Sequence, residues 1–521
     1  MSVLLAILGI LVAIAILYEI ARRLRVPYPS LLVVGGLALG FVPGLLHIEL
    51  APELVLLVFL PPLLFGAAVD TPIRDLRANV GPLVRLSVGL VLFTMVLVAA
   101  VAQALIPGLG WAAAFALGAI VAPTDALAAT AVFRRIGAPR VIVTLVEGES
   151  LLNDATALVA YRAAVIAAVS GGFVLATAVG GFLAAAVGGI SIGLVVGWVA
   201  GQLLRRLDNP PVEVLVSLLI PFAAYLPADQ LGLSGVLAAV SAGLVIGSRL
   251  GRILTPNSRV LWQSTWKMVG FIVNGFVFVL IGVQLPSILQ GLGHRSAAEL
   301  VALVAVVSAV VVLGRMAWVF ASSTLPGSPR RRIAEIDAGL SWRLTFVVGW
   351  AGLRGAVSLA AALALPATFP DRNLILLITF GVIVVTLVGQ GLTLPFVLRR
   401  AGWDGVEFDG AADEGNRARV AAYQAGLDEI ARARVTWPDH QPLLDRLESG
   451  LRDRSQHLAT EDPDETAERR QERIEHEEIQ RGVIAAQRVA VLELRDRREI
   501  NDLTLRAIER ELDLEELRME G

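Results

Sequence analysis

The sequence predicts an all-α membrane protein of about thirteen transmembrane helices, in two inverted repeats with broken crossing helices, followed by a helical cytoplasmic C-terminal domain. Three observations lead there. The 521 residues are 56 % hydrophobic with a mean hydropathy of +0.71, too apolar for an ordinary soluble domain. Thirteen stretches are apolar enough to cross a hydrocarbon core about 30 Å thick, which takes roughly 20 residues of helix. The arginines between them fall almost wholly in every second connection, as expected where short cytoplasmic loops collect Lys and Arg.

The stretches run over residues 2–21, 29–46, 53–69, 82–106, 111–132, 141–168, 174–203, 212–227, 233–248, 264–286, 298–324, 340–366 and 373–398. The first lacks the basic start and small-residue cleavage pattern of a signal peptide, so it is read as a retained span. The third, eighth and ninth are short, as kinked or bent helices often are. The fifth is interrupted by APTD at 122–125 and the twelfth by GLRG at 352–355. Pro removes a helical donor and Gly loosens the backbone, and a charge beside either points to broken helix ends lining a wet cavity.

After the odd-numbered stretches stand Arg22, Arg23 and Arg25; Arg74 and Arg77; Arg134, Arg135 and Arg140; Arg205 and Arg206; Arg249, Arg252 and Arg259; Arg330, Arg331 and Arg332; and Arg399 and Arg400. After the even-numbered ones stand only Arg295 and Arg372. This alternation puts the amino terminus outside and the carboxyl-terminal tail in the cytoplasm. With an odd total, six spans, one connector and six more spans would place the second half upside down relative to the first, the inverted-repeat plan of many secondary transporters.

Residues 1–400 form the membrane domain, carrying 16 acids against 26 bases, and residues 401–521 carry 30 acids against 18. In the tail, acid and Arg interleave, Leu444, Leu447 and Leu451 recur at helical spacing, and Pro438 and Pro463 divide the run. It reads as a cytoplasmic regulatory or self-associating domain, with a solubilising tail as the simpler alternative. The absence of cysteine excludes disulfides, thiolate metal sites and Cys nucleophiles. Five scattered His residues without zinc-binding spacing argue against a zinc site, and no cofactor is expected.

An ionisable side chain inside a membrane costs several kcal/mol and is by default a candidate for an ion path. The candidates are Asp125, Glu149 with Asp154, Arg315 and Arg354. On a helix at 100° per residue, Glu147, Ser150, Asp154 and Tyr161 share a face, and Glu149 lies about 140° from Asp154. The two carboxylates therefore meet different neighbours. Arg315 is the natural fixed partner for Glu149, since a buried ion pair is costly to form and costlier to leave half made. Arg354 is left to balance Asp125 or the carbonyl ends of the broken twelfth helix. Asp154 is then the acid without a fixed counter-charge. It can hold a proton, or lose it and bind Na⁺ with oxygen donors such as Ser150, Thr124 and Asp125, while Asn153 adds hydrogen-bonding capacity without a second titrating group. One site with two mutually exclusive occupants is the chemistry of a cation/proton exchanger.

On APTD, GESLLND at 148–154, Arg315, GLRGAVS at 352–358 and FLPPLLF at 59–65, residues 1–400 resemble the electroneutral monovalent cation/proton antiporters, which include bacterial sodium/proton antiporters and animal sodium/proton exchangers. The resemblance implies thirteen helices, a homodimer, and a core domain that moves like an elevator against a dimerisation domain. It makes Asp154 the ion- and proton-binding acid and Asn153 its partner, puts Ser150, Thr124 and Asp125 at the unwound crossing, pairs Glu149 with Arg315 and sets Arg354 at the twelfth-span crossing. One titrating acid per site implies one Na⁺ or Li⁺ for one H⁺, in the service of pH and sodium homeostasis at the plasma membrane. Where many relatives carry an acid after FLPPLLF, this sequence has Gly66, with Asp70 four residues on. The expected partners are the bilayer, the exchanged ions, a second copy and a cytoplasmic regulator of the tail; nucleic acid is not among them.

A K⁺/H⁺ exchanger would use the same machinery, since carboxylate and hydroxyl ligands alone do not select cation size. An intramembrane aspartyl protease also carries two membrane Asp residues, but its YD and GxGD sequences are missing. A membrane sensor reporting ions to the tail is the third alternative.

Overall fold

In the computed structural model the described residues are 2–24, 26–42, 52–136, 140–170, 175–290, 295–324, 338–366, 368–402, 409–459, 467–497 and isolated positions from 499 to 515. Arg25, residues 43–46, Arg330 to Arg332 and Pro463 lie outside them, as do the side chains of Arg134, Arg135 and Arg140. The chain divides into two units, Met1–Val406 and Glu407–Gly521.

The first unit contains helices α1 (Ser2–Leu24), α2 (Tyr28–Gly40), α3 (Pro52–Asp70), α4 (Ile73–Ala78), α5 (Val80–Leu105), α6 (Trp111–Val121), α7 (Ala126–Ile136), α8 (Arg140–Ser170), α9 (Leu175–Leu204), α10 (Pro210–Gln230), α11 (Gly235–Gly247), α12 (Leu250–Ile253), α13 (Pro256–Val283), α14 (Leu285–Gln290), α15 (Ala297–Ser323), α16 (Ala338–Trp350), α17 (Ala356–Leu363) and α18 (Arg372–Arg400). Among the described residues there is no strand. Seven helical runs among them are long and apolar enough to cross a membrane. Helix lies over each apolar stretch of the sequence, and the two interruptions fall at 122–125 and 351–355.

The differences from the hydropathy reading have local causes. α13 starts at Pro256, eight residues before the apolar stretch, because Thr255 caps it by accepting from the Ser258 N–H at 3.3 Å and Pro256 fits the first position. Asn209 followed by two prolines starts α10 in the same way, and α10 then runs on as one helix through Pro221 and Pro227. Ser234 and Ser296 cap α11 and α15. α5 and α18 each contain one π-helical turn, at Arg85–Gly89 and Val385–Gln390, a feature that often marks functional sites.

Close helix contacts rest on small residues, as expected where apolar burial gives helices no preference for each other over lipid. A Cβ on Gly36 or Gly282 would overlap the backbone of the facing helix where α2 meets α13. Gly189, Gly193 and Gly197 form a stripe on α9 against the backbone of Ser234, Ala238 and Ala242. The largest buried cluster joins Ala113, Leu117 and Ile120 of α6 to Val347 of α16, Leu359 of α17 and Ile378 of α18. The broken helices therefore lie inside packed protein, where non-helical backbone at membrane depth is tolerated.

The second unit contains α19 (Asp409–Thr436), α20 (Gln441–Ala459) and α21 (Ala467–Asp496). Arg434 joins α19 to α20 through Gln441 Oε1 at 2.5 Å, Asp445 Oδ1 at 2.6 Å and Glu448 Oε2 at 2.5 Å. Of the spaced leucines, Leu444 is buried, whereas Leu447 is 50 % exposed.

Candidate functional site

The two interruptions meet. Pro123 supplies no N–H for a helical bond, so α6 ends at Val121 and the chain is non-helical from Ala122 to Asp125, just before α7. The run from Ala351 to Gly355 separates α16 from α17 in the same way. The Asp125 N–H donates to the Leu353 carbonyl at 2.7 Å, joining the two non-helical segments.

Four half-helix ends therefore lie buried together, each with backbone groups that have lost their helical partners. At the amino-terminal ends, Asp125 Oδ1 accepts from the Leu127 N–H at 2.8 Å, and the same carboxylate accepts from the Ala356 N–H. Ser150 Oγ accepts from the Ala126 N–H at 3.2 Å. At the carboxyl-terminal ends, Arg354 Nε donates to the Val121 carbonyl at 3.1 Å and its Nη1 to the Gly352 carbonyl. Arg315 donates from Nε to Gly349 at 3.1 Å and from Nη2 to Val348 at 3.0 Å. An acid thus sits on the positive ends of the half-helix dipoles and guanidinium groups on the negative ends. Of the two roles open to Arg354 in the sequence, the structure shows the carbonyl ends, and on both broken helices. Gly355 is required by space: its backbone is extended, but a Cβ there would overlap the Asp125 carboxylate.

α8 crosses this assembly as one unbroken helix. Glu149 and Arg315, each 1 % exposed, form a two-pronged ion pair, Nη2 to Oε2 at 2.8 Å and Nη1 to Oε1. Thr124 Oγ1 donates to Glu149 Oε1 at 3.0 Å and accepts from Asn153 Nδ2 at 2.7 Å. Because the Thr124 proton points to a carboxylate, its oxygen must be the acceptor, which fixes the amide nitrogen of Asn153 on that side. Asn153 Oδ1 is then turned away, and among the described residues it has no hydrogen-bond partner.

Asp154 is the exception in this network. It is 6 % exposed, against 1 % for Glu149 and Asn153, and no residue among those described hydrogen-bonds its carboxylate. The structure thus commits Thr124, Ser150 and Asp125 to protein partners and leaves an aspartate and a neighbouring amide oxygen uncommitted. Oxygen donors of this kind suit hard cations such as Na⁺. Gly66 lies against Trp266, with a Cβ position 3.3 Å from the ring, and the Trp266 indole donates to Ser217 Oγ at 3.0 Å.

Thr386 and Gln390 of α18, which the sequence does not single out, also reach the broken segment. Thr386 Oγ1 accepts from the Arg354 N–H at 3.1 Å, and Gln390 Nε2 donates to the Trp350 carbonyl at 3.2 Å. The available signal is two polar residues four apart, between Thr379 and Thr393 of the same stretch, which places them on one helix face.

Residues 9–400 match the family described as sodium/hydrogen exchanger, transmembrane. The chain is 36 % identical over 403 residues to the low-affinity Na(+)/H(+) antiporter NhaS1 of Synechocystis, covering 76 % of this chain and 73 % of that one. It is 34 % identical over 414 residues to a sodium, potassium, lithium and rubidium/H(+) antiporter of Bacillus subtilis, covering 76 % and 62 %. The fold is similar to that of the sodium proton antiporter MjNhaP1 from Methanocaldococcus jannaschii, solved at pH 8, with a TM-score of 0.60, 22 % identity, and coverage of 75 % of this chain and 100 % of that one.

Proposed function

Because the chain belongs to the sodium/hydrogen exchanger family, a family of multi-pass membrane transporters and not of enzymes, we propose that it exchanges one Na⁺ or Li⁺ for one H⁺ at Asp154. The observation that carries this reading is the Asp154 carboxylate, which no described residue hydrogen-bonds, next in sequence to Asn153 with its unpartnered Oδ1. Protonated, Asp154 is neutral and crosses without a cation. Ionised, it draws a dehydrated cation against its own oxygens and that of Asn153. Both occupants together would leave a buried positive charge unbalanced, so each excludes the other. Glu149 and Arg315 stay paired throughout and hold the Thr124–Asn153 chain in register, while Asp125 and Arg354 keep the crossing segments together. With a single exchanging acid the cycle moves no net charge. Expected in vesicles is exchange with Na⁺ and Li⁺ at a rate that does not follow an imposed membrane potential; a rate that tracks the potential would sink the one-for-one stoichiometry.

K⁺/H⁺ exchange is the second reading, favoured by the Bacillus subtilis relative, whose name includes potassium. The same vesicles supplied with Na⁺, Li⁺ and K⁺ in turn decide between the two, and a response to K⁺ alone would overturn the sodium assignment.

Thirteen spans, with the amino terminus outside and residues 401–521 in the cytoplasm as a regulatory domain, complete the proposal. The arginine alternation supports the orientation. An ion pair between Arg162 of α8 and Asp229 of α10, with a second Arg162 bond to the Leu233 carbonyl at 3.3 Å, supports the alternation itself, which assigns both partners to one face. Both partners stand at the helix ends that the arginines assign to the outer face. The mirrored interruptions support inverted repeats, and a plasma-membrane homodimer using elevator-type alternating access follows from the family resemblance.

Alternating access is open to a direct test, because the chain has no cysteine. Arg162→Cys combined with Asp229→Cys places the only two thiols across α8 and α10. Joined by a reducible bifunctional thiol reagent, this variant is expected to stop exchanging and to recover on reduction. Undiminished exchange in the cross-linked protein would exclude movement of α8 against α10.

A further inference from the structure

Building on the exchange reading above, we propose that Thr386 and Gln390 are positioning residues of the ion site, holding the broken segment 351–355 from behind at both ends. One peptide unit carries the argument. Its carbonyl, that of Leu353, accepts from the Asp125 N–H at 2.7 Å, and its N–H, that of Arg354, donates to Thr386 Oγ1 at 3.1 Å. The plane linking the two non-helical segments is pinned on both edges, and one of the pins is a side chain of α18. Thr386 is fully buried, and its own proton goes to the Val382 carbonyl at 2.8 Å, so its oxygen is oriented to accept.

Gln390 acts four residues on. Its Nε2 satisfies the Trp350 carbonyl at the end of α16, next to Val348 and Gly349, whose carbonyls Arg315 holds. Three consecutive carbonyls at a buried helix end are thereby matched, two by the cation that pairs with Glu149 and one by Gln390. α18 is itself fixed at this level, since Ser30 Oγ of α2 donates to the Leu387 carbonyl at 2.6 Å. The π-helical turn over Val385–Gln390 supplies both contacts.

The consequence reaches the ion through Asp125. If the Leu353–Arg354 peptide rotates, the Asp125 backbone loses its partner, and the carboxylate that closes both half-helix starts is displaced beside Asp154. Thr386 touches no ion; it sets where Asp125 stands.

Thr386→Val keeps the shape and removes the acceptor, leaving a buried N–H without a partner. It is expected to raise the apparent Na⁺ constant about tenfold, the scale of one orphaned buried donor, and to displace the pH profile of exchange. Thr386→Ser keeps the hydroxyl and is expected to restore both. Gln390→Met, nearly isosteric, is expected to act in the same direction and serves if Thr386→Val does not fold. Hydrogen–deuterium exchange over residues 351–358 reads the pinning without transport: faster in Thr386→Val, as wild type in Thr386→Ser. Unchanged amide exchange together with wild-type Na⁺ and pH dependence in Thr386→Val would overturn the proposal. So would a Thr386→Ser variant as impaired as Thr386→Val, since packing and not the hydroxyl would then be responsible. Wild-type protein that exchanges no cation would instead defeat the exchange reading, and the amide measurement would still decide the role of Thr386.

Discussion

Asp154→Asn is expected to reduce cation/proton exchange to the level of vesicles lacking the protein while leaving the folded protein intact. The substitution keeps the size of the side chain and removes its one essential property, the choice between a neutral protonated form and an anion. Folding should be indifferent to it, because no described residue hydrogen-bonds the Asp154 carboxylate. The stability change is set by solvation and should stay within about 1 kcal/mol. Asp154→Glu retains the carboxyl but pushes it one methylene further into the site, so reduced exchange is expected in place of abolished exchange. Asn153→Asp adds a second acid at the position of the unpartnered Oδ1, and exchange that begins to follow membrane potential is the expected sign. The measurements are exchange in everted vesicles and monodispersity of the purified variants. Exchange preserved in a well-folded Asp154→Asn protein would remove Asp154 from the mechanism.

What the sequence made legible follows from the reach of its signals. Hydropathy and arginine placement located the helices, and APTD and GLRG marked the breaks, because Pro and Gly act on their own backbone. The separation of Glu149 from Asp154 was also readable, being a property of one helix. The destinations of polar side chains between helices were not. Residue type suggests Thr124 and Ser150 as oxygen donors, but not that one bridges Glu149 to Asn153 and the other caps α7. Asp125 likewise serves two helix starts, one of them more than two hundred residues away along the chain. Arg354 was left between two partners because only the packing of α6 on the second broken helix brings Val121 to it. The early start of α13 escaped hydropathy since its first turn, with Asn257, Ser258 and Arg259, is polar and is declared by its cap. For the polar side chains the missing information was a contact between distant segments, and for α13 it was a local cap; periodicity encodes neither.

Breaking the Glu149–Arg315 pair is expected to give the largest loss of stability of any single change at the site, on the order of 3–5 kcal/mol for removing one partner of a buried ion pair. The two ways of breaking it should not cost the same. Glu149→Gln leaves an amide oxygen that can still accept from Arg315, and the guanidinium keeps the Val348 and Gly349 carbonyls. Arg315→Leu removes every one of these bonds, stranding an ionised Glu149 and two carbonyls at the end of α16. The expected order of thermal stability in detergent is therefore wild type, Glu149→Gln, then Arg315→Leu. The double variant should lose less than the sum of the single ones, because the second change deletes a charge that the first had left unpaired. Where Glu149→Gln folds, its unbalanced Arg315 is linked through residue 149 and Thr124 to Asn153, and a raised apparent Na⁺ constant is expected from the added positive charge. A Glu149→Gln protein with wild-type stability and wild-type Na⁺ dependence would mean that the pair neither supports the bundle nor sets the field at the ion site. The division of labour between the two carboxylates of α8 would then have to be abandoned.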